Sequence, residues 1–214
     1  MNGPWGYDLR PEAIEERSFE IIGGLVDLAG LTPGEAALVR RVVHATGDPA
    51  FAELLAWSPQ AIEIGARALS LGTPIVTDVQ MARAGVSAAR AERFGVRVSC
   101  RISDPEVAQE ARARGVTRSI VSVERAVATD PEAVFAFGNA PTALFRLLEL
   151  ADEGRARPAL VIGVVVGFVG AAESKEALMA RQGLAWISCR GNKGGSNVAA
   201  ACVNALFKVA AGEV

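Results

Sequence analysis

Two hydrophobic rhythms alternate along this chain, one with the period of a helix and one with the period of a strand. That alternation predicts β-α units built around a parallel sheet. From Pro11 to Ala29, residues Ile14, Ile21, Ile22, Leu25 and Leu28 recur at spacings that form one apolar helical face. Thr32-Pro33-Gly34-Glu35 reads as a capping box with proline in the first turn. The helix it opens carries the stripe Leu38, Val39, Val42 and Val43, and Gly47 supplies a left-handed stop. A further helix around Pro59 to Leu71 leads into the first expected strand, Pro74 to Thr77.

Val96, Val98, Cys100 and Ile102 alternate with Arg97, Ser99 and Arg101, which predicts a half-exposed strand near a sheet edge. Ser103-Asp104-Pro105-Glu106 caps the next helix, and Ser119 to Val123 reads as a short strand, followed by another at Val134 to Phe137. Ala159 to Val166 is apolar throughout, as a central strand buried on both faces should be. Ala185 to Cys189 is the last expected strand, before a long helix from about Gly195 to Ala210. The expectation is therefore α/β: a single doubly wound domain over residues 1–214, with a mainly parallel central sheet flanked by helices on both faces.

Composition narrows the function classes. Half of the 214 residues are apolar, enough for a sizeable core. The 22 basic and 24 acidic residues leave a net charge of -2, so there is no global pull toward nucleic acid or an anionic membrane. An anionic ligand must be held by locally placed donors. Cys100, Cys189 and Cys202 are odd in number and widely spaced, which argues against a disulfide framework or a zinc site. A reducing, cytoplasmic setting is expected. The first residues show no basic patch leading into an apolar run, so no signal peptide is expected. The apolar stretch from Ala159 to Ala172 is interrupted by glycines and is shorter than the ~20 residues of a membrane helix.

Three junctions share a design in which an apolar strand ends in a glycine-bearing turn that opens a helix. They are Phe137 to Thr142, Gly167 to Lys175 and Cys189 to Ser196. Ligands of open α/β sheets bind beyond the carboxyl ends of the strands, and the free N–H groups of helix starts favour anions. Side by side, such turns would surround one large ligand bearing several carboxylates or phosphates; taken singly, each is also an ordinary β-α connection. Neither a G-x-x-x-x-G-K-[ST] loop nor an early G-x-G-x-x-G is present, which disfavours a nucleotide.

His44 is the only histidine. It falls on the side of its helix opposite the apolar stripe, with Arg40 and Arg41, in the last turn, where the helix dipole favours imidazolium. A surface histidine at a helix end explains this placement; so does a general acid, with Thr46 and Asp48 as candidates to orient the ring. Thr77-Asp78 ends a strand, where a carboxylate either faces the ligand crevice or caps the following helix. Ser18, beside Arg17, interrupts the stripe of the first helix as a contact or a small packing residue, and Met81 is more often core than ligand contact. One histidine and no compact carboxylate group leave no visible metal site.

Taken in order, several of these segments resemble the precorrin-8X methylmutase family (precorrin isomerase and its cobalt-precorrin counterpart) of cobalamin biosynthesis. The likeness runs from about Asp8 to Leu206 and is carried by Glu16-Arg17-Ser18-Phe19, Arg41 to Asp48, Pro74 to Met81 with Ala84-Gly85-Val86, and Gly138 to Leu144. Gly167 to Lys175 and Lys193-Gly194-Gly195-Ser196 complete it. Together they are highly specific.

The resemblance implies an isomerase that moves a methyl group from C-11 to C-12 of the tetrapyrrole by a 1,5-sigmatropic shift, with no cofactor and no protein-bound metal. It gives hydrogenobyrinate or its cobalt form. It assigns proton donation to His44. It implies substrate contacts among Arg17, Ser18, Thr46, Thr77, Asp78, Met81, Gly138, Asn139, Ala140, Gly170, Lys193, Gly194, Gly195 and Ser196, and a homodimer with the pocket near the subunit interface. Two positions depart from the family pattern: Val165 lies where proline is frequent, and Asn192 where many members carry arginine. Two other readings fit the same residues, a non-catalytic carrier of the macrocycle and a phosphate-ligand enzyme using the glycine turns.

Overall fold

In the computed structural model, which describes Trp5 and residues 10–214 apart from the side chains of 11 and 12, the first quarter of the chain is helical. It comprises α1 (Pro11–Leu25), α2 (Pro33–Thr46) and the short α3 (Phe51–Leu54). Then come β1 (Leu55–Trp57), α4 (Ala61–Ser70), β2 (Ile75–Thr77), α5 (Gln80–Gly85), α6 (Ala88–Arg93) and β3 (Val98–Ser99). A helical pair, α7 (Pro105–Arg114) and α8 (Arg118–Thr129), precedes β4 (Val134–Phe137) and α9 (Pro141–Asp152). The chain finishes with β5 (Leu160–Gly163), α10 (Ala171–Met179), β6 (Trp186–Cys189) and α11 (Ser196–Ala210).

The strands form one sheet in the order β1-β6-β5-β4-β2-β3. All pairs are parallel except β1 with β6. Because successive side chains of a strand point to opposite faces, each central strand feeds two cores. Ile75, Val134, Ala136, Leu160, Ile162 and Ile187 pack with α2, α4 and α11 on one face. Val76, Phe135, Phe137, Val161 and Trp186 pack with α8, α9 and α10 on the other. The doubly wound, mainly parallel sheet expected from the apolar rhythm is the architecture observed.

Local chemistry explains α2. Thr32 accepts the Glu35 N–H while the Glu35 carboxylate accepts the Thr32 N–H, and Gly47 ends the helix at φ 65°. Leu38, Val39, Val42 and Val43 are buried, as their spacing predicts.

Several expectations are corrected. Residues 119–123 are not a strand but part of α8, which Thr117 caps through the Ile120 N–H. Its valines are buried on two sides of a helix, Val121 with Val107 and Ala111 of α7 and Val123 with Val127 in the core under the sheet, so β-branched composition over five residues was the weaker signal. The first strand is β1 rather than 74–77; three residues, Leu55–Trp57, pair antiparallel with β6, a length too short for any period to register. The edge strand β3 does lie at the sheet margin but keeps only Val98–Ser99. Asp104 precedes α7 without a side-chain cap bond. The apolar face of α1 is not a core face: Ile22 is buried, whereas Ile14, Ile21 and Leu25 are exposed. Among the described residues, no helix is long and apolar enough to cross a membrane.

Candidate active site

The strand order reverses between β2 and β4, each of whose other neighbours lies further out in the sheet. In doubly wound sheets the crevice at such a switch point is the usual ligand site. Here a side chain spans it. Asp78, just past β2 and 3% exposed, accepts the backbone N–H groups of Gly138 at 3.2 Å and of Asn139 and Ala140 at 2.7 Å each. Burial pushes its carboxyl above the usual carboxylate range against the downward pull of these three donors. Asp78 therefore ties down the turn that leads into α9, sixty-two residues onward at Ala140, rather than capping the helix that follows it. The N–H groups of Gly138, Asn139 and Ala140 are spent on protein. Thr77, 1% exposed, turns its hydroxyl to the carbonyls of Val79 and Ser99.

The three glycine turns do converge. They follow β4, β5 and β6, which are adjacent. Val166 N–H donates to Gly138 O, Gly167 N–H to Asn192 O, and Gly195 N–H to Val164 O. The contact is close enough to require glycine: a Cβ on Gly138 would lie 2.5 Å from Gly195 O, and one on Gly194 only 2.1 Å from Val164 O. The starts of α9, α10 and α11 all lack side-chain caps, at Ala140, Gly170 and Gly195. Their free N–H groups are the anion-favouring features left at this end of the sheet. Around them Met81, Phe168 and Val169 are exposed at 74%, 89% and 89%, so Met81 is not a core residue.

Lys175, on α10, is fully buried beneath this layer. Its ammonium donates to Lys193 O at 2.6 Å and lies 3.7 Å from the Cys189 sulfur. Burial pushes it below the ordinary lysine range. The functional reading of the sequence did not single it out; its signal was a lysine at a position where the helix turns inward.

His44 lies exposed at the end of α2, on the rim of a cleft of about 210 Å³. Ser18, Ile21, Ile22 and Leu25 of α1 and Gly47 and Pro49 after α2 form the rest of it. Ser18 turns its hydroxyl back to Ile14 O. The Lys193 turn packs beside this cleft: its ammonium pairs with Asp48 at 2.5 Å, and the Asn197 amide donates to Ala45 O at 3.4 Å. Lys193 and the Ala50 N–H hold the Asp48 carboxyl below the usual range. So Asp48 binds Lys193, and Thr46 bonds Val42 O and the Asp48 N–H; neither orients the imidazole. The ring instead meets Phe19 edge-on, 5.6 Å between centroids at 74°.

Of the expected site residues, the fold gathers Ser18, His44, Lys193, Gly194, Gly195 and Ser196 on one side of the sheet end. Arg17 shares α1 with Ser18 but pairs with Glu20 in solvent. Among the described residues, no group of three or more His, Cys, Asp or Glu side chains is placed to hold a metal.

Residues 13–209 match the family model described as precorrin-8X methylmutase. A cobalt-precorrin-8 methylmutase from Salmonella typhimurium is 43% identical over 94% of this chain and 96% of its own. A precorrin-8X methylmutase from Pseudomonas aeruginosa is 42% identical over 91% of this chain and 94% of its own. A crystal structure of a precorrin-8X methylmutase from Thermus thermophilus superposes with a TM-score of 0.87 at 40% identity, covering 95% of this chain and 98% of that one.

Proposed function

The chain belongs to the precorrin-8X methylmutase family, isomerases that move a methyl group within a tetrapyrrole, and we propose that His44 is the proton donor of that reaction here. The observation that carries this reading is the placement of the only histidine: exposed, on a cleft rim, beside the turn that carries Lys193 and the uncapped start of α11.

The macrocycle carries many carboxylates. Lys193 and the N–H groups of the first turn of α11, beginning at Ser196, bind some of them, while Ser18 contacts the edge that enters the cleft. The imidazolium then gives its proton to the conjugated ring, producing the tautomer from which the methyl group migrates from C-11 to C-12. The product is an isomer of the substrate, so the proton is recovered when the ring tautomerises back. The chemistry requires no electron transfer and no external nucleophile, only a shaped pocket and a timed proton.

A cleft of about 210 Å³ is smaller than the ~300–1,000 Å³ that usually encloses even a drug-sized ligand. Ile21 and Leu25, both exposed on its wall, leave it open on one side. A second copy of the chain supplies the missing wall in this reading, so the working unit is a homodimer. Relatives bear both the metal-free and the cobalt names, and the substrate here is one of these two forms. The three free cysteines fit a reducing, cytoplasmic setting.

The test is His44→Ala. Loss of a general acid should lower kcat by roughly 10²–10⁴-fold. Titration with the corrinoid product, followed by absorption, should still show binding. Near-normal turnover would remove His44 from the mechanism. Tight binding by the wild-type chain with no spectral conversion would favour a carrier instead.

A further inference from the structure

Nothing polar holds the His44 ring: among the described residues it makes no hydrogen bond and no ion pair. The terminal torsion of a histidine is broad, so packing must set the angle at which such a ring stands. The packing partner is Phe19, and Phe19 is itself clamped. The Arg41 guanidinium lies 5.2 Å from its ring centroid and the Lys208 ammonium 5.3 Å. Both cations are tied to one carboxylate, that of Glu15. Burial alone would raise the Glu15 carboxyl, yet Lys208 and Arg41 carry it below its usual value, so the cluster is held together by charge.

The spacing makes this a three-helix device. Glu15 and Phe19 are four residues apart on α1, and Arg41 and His44 are three apart on α2; each pair shares a helical face. Lys208 arrives from the last turn of α11. The column runs Glu15, then Arg41 and Lys208, then Phe19, then the imidazole.

We propose that Phe19 is a positioning residue that fixes the orientation of the His44 imidazole for proton transfer; the inference rests on the acid role given above. A proton reaches the macrocycle only along the N–H direction of the ring, and a ring without a hydrogen-bonded partner has no other constraint on that direction. Aromatic pairs of this geometry contribute enough to bias such an orientation by roughly three- to tenfold.

Because His44 is the only histidine, the protein has a single set of imidazole carbon-bound proton signals, and these report on the pair directly. In wild-type protein they should show nuclear Overhauser contacts to the Phe19 ring and a ring-current displacement. Phe19→Leu should remove both and lower kcat for precorrin-8X by roughly three- to tenfold with KM nearly constant. Phe19→Tyr should restore signal and rate, which a merely space-filling role does not require. Absence of the contacts in wild-type protein, or wild-type kcat in Phe19→Leu, overturns the proposal. A wild-type chain that shows the contacts but never converts the substrate overturns the isomerase reading itself, and the two failures are thereby told apart.

Discussion

Asp78 and Ala140 are sixty-two residues apart in sequence, and the carboxylate of the first accepts the backbone N–H of the second at 2.7 Å. The bond joins the carboxyl end of β2 to the residue just before α9, across the point where the strand order reverses. A crevice that in other doubly wound sheets receives a ligand is here bridged by a buried carboxylate. The anion-favouring groups that remain include the uncapped helix starts further along the sheet end, at Gly170 and Gly195, and the Lys193 turn next to His44.

If Asp78 serves to hold the turn before α9, Asp78→Ala should cost about 2–4 kcal/mol of stability, since it strands three N–H groups, two of them buried. Asp78→Asn should be nearly as costly, because its amide N–H₂ would face donors. Urea denaturation measures both. An Asp78→Ala protein with unchanged stability but a greatly raised KM would make the residue a substrate ligand instead.

Lys175 yields a pH prediction. Its folded-state pKa is lowered by burial, so the charged form is penalised in the native protein relative to the unfolded chain. That penalty is full at pH below the lowered value and disappears as pH rises into the ordinary lysine range, where the unfolded chain also loses its proton. The stability of wild-type protein relative to Lys175→Met should therefore increase as pH climbs from neutrality toward that range. Thermal unfolding of the two proteins at a series of pH values checks the sign; a constant or shrinking difference contradicts it.

The departure at Val165 is structurally harmless on the same kind of argument. Val164 N–H bonds to Phe137 O at 2.9 Å and Val166 N–H to Gly138 O at 3.1 Å, whereas Val165 N–H makes no such backbone bond among the described residues. Proline removes a donor, so Val165→Pro should fold with a melting temperature close to wild type. Val164→Pro and Val166→Pro should each lose about 1–3 kcal/mol through an unpaired buried carbonyl. Differential scanning calorimetry of the three variants separates the cases.

Much of this architecture was legible in local sequence because local rules produce it. The Thr32–Glu35 capping box, the Gly47 stop and the stripe from Leu38 to Val43 specify α2 within one stretch of chain. The continuous apolar run at residues 159–166 announced a strand buried on both faces, and Leu160–Gly163 is one. Residues 119–123 misled because a helix and a strand bury β-branched residues equally well over so short a window. β1 was invisible because three residues hold no period, and only pairing with Cys189, Ser188 and Ile187 makes them a strand.

The site divides along the same line. Sequence determined the inventory: one histidine, three glycine turns, an α/β sheet to place them on, and a family likeness that later comparison bore out. Tertiary structure decided how each group is spent. It assigned Asp78 to the turn before α9, Asp48 to Lys193, Lys175 to the carbonyl of Lys193, and Phe19 to the imidazole. Periodicity reports which side of an element a residue occupies, because that is a property of neighbouring backbone. Which distant group it meets there depends on strand order and helix packing, which no local pattern encodes.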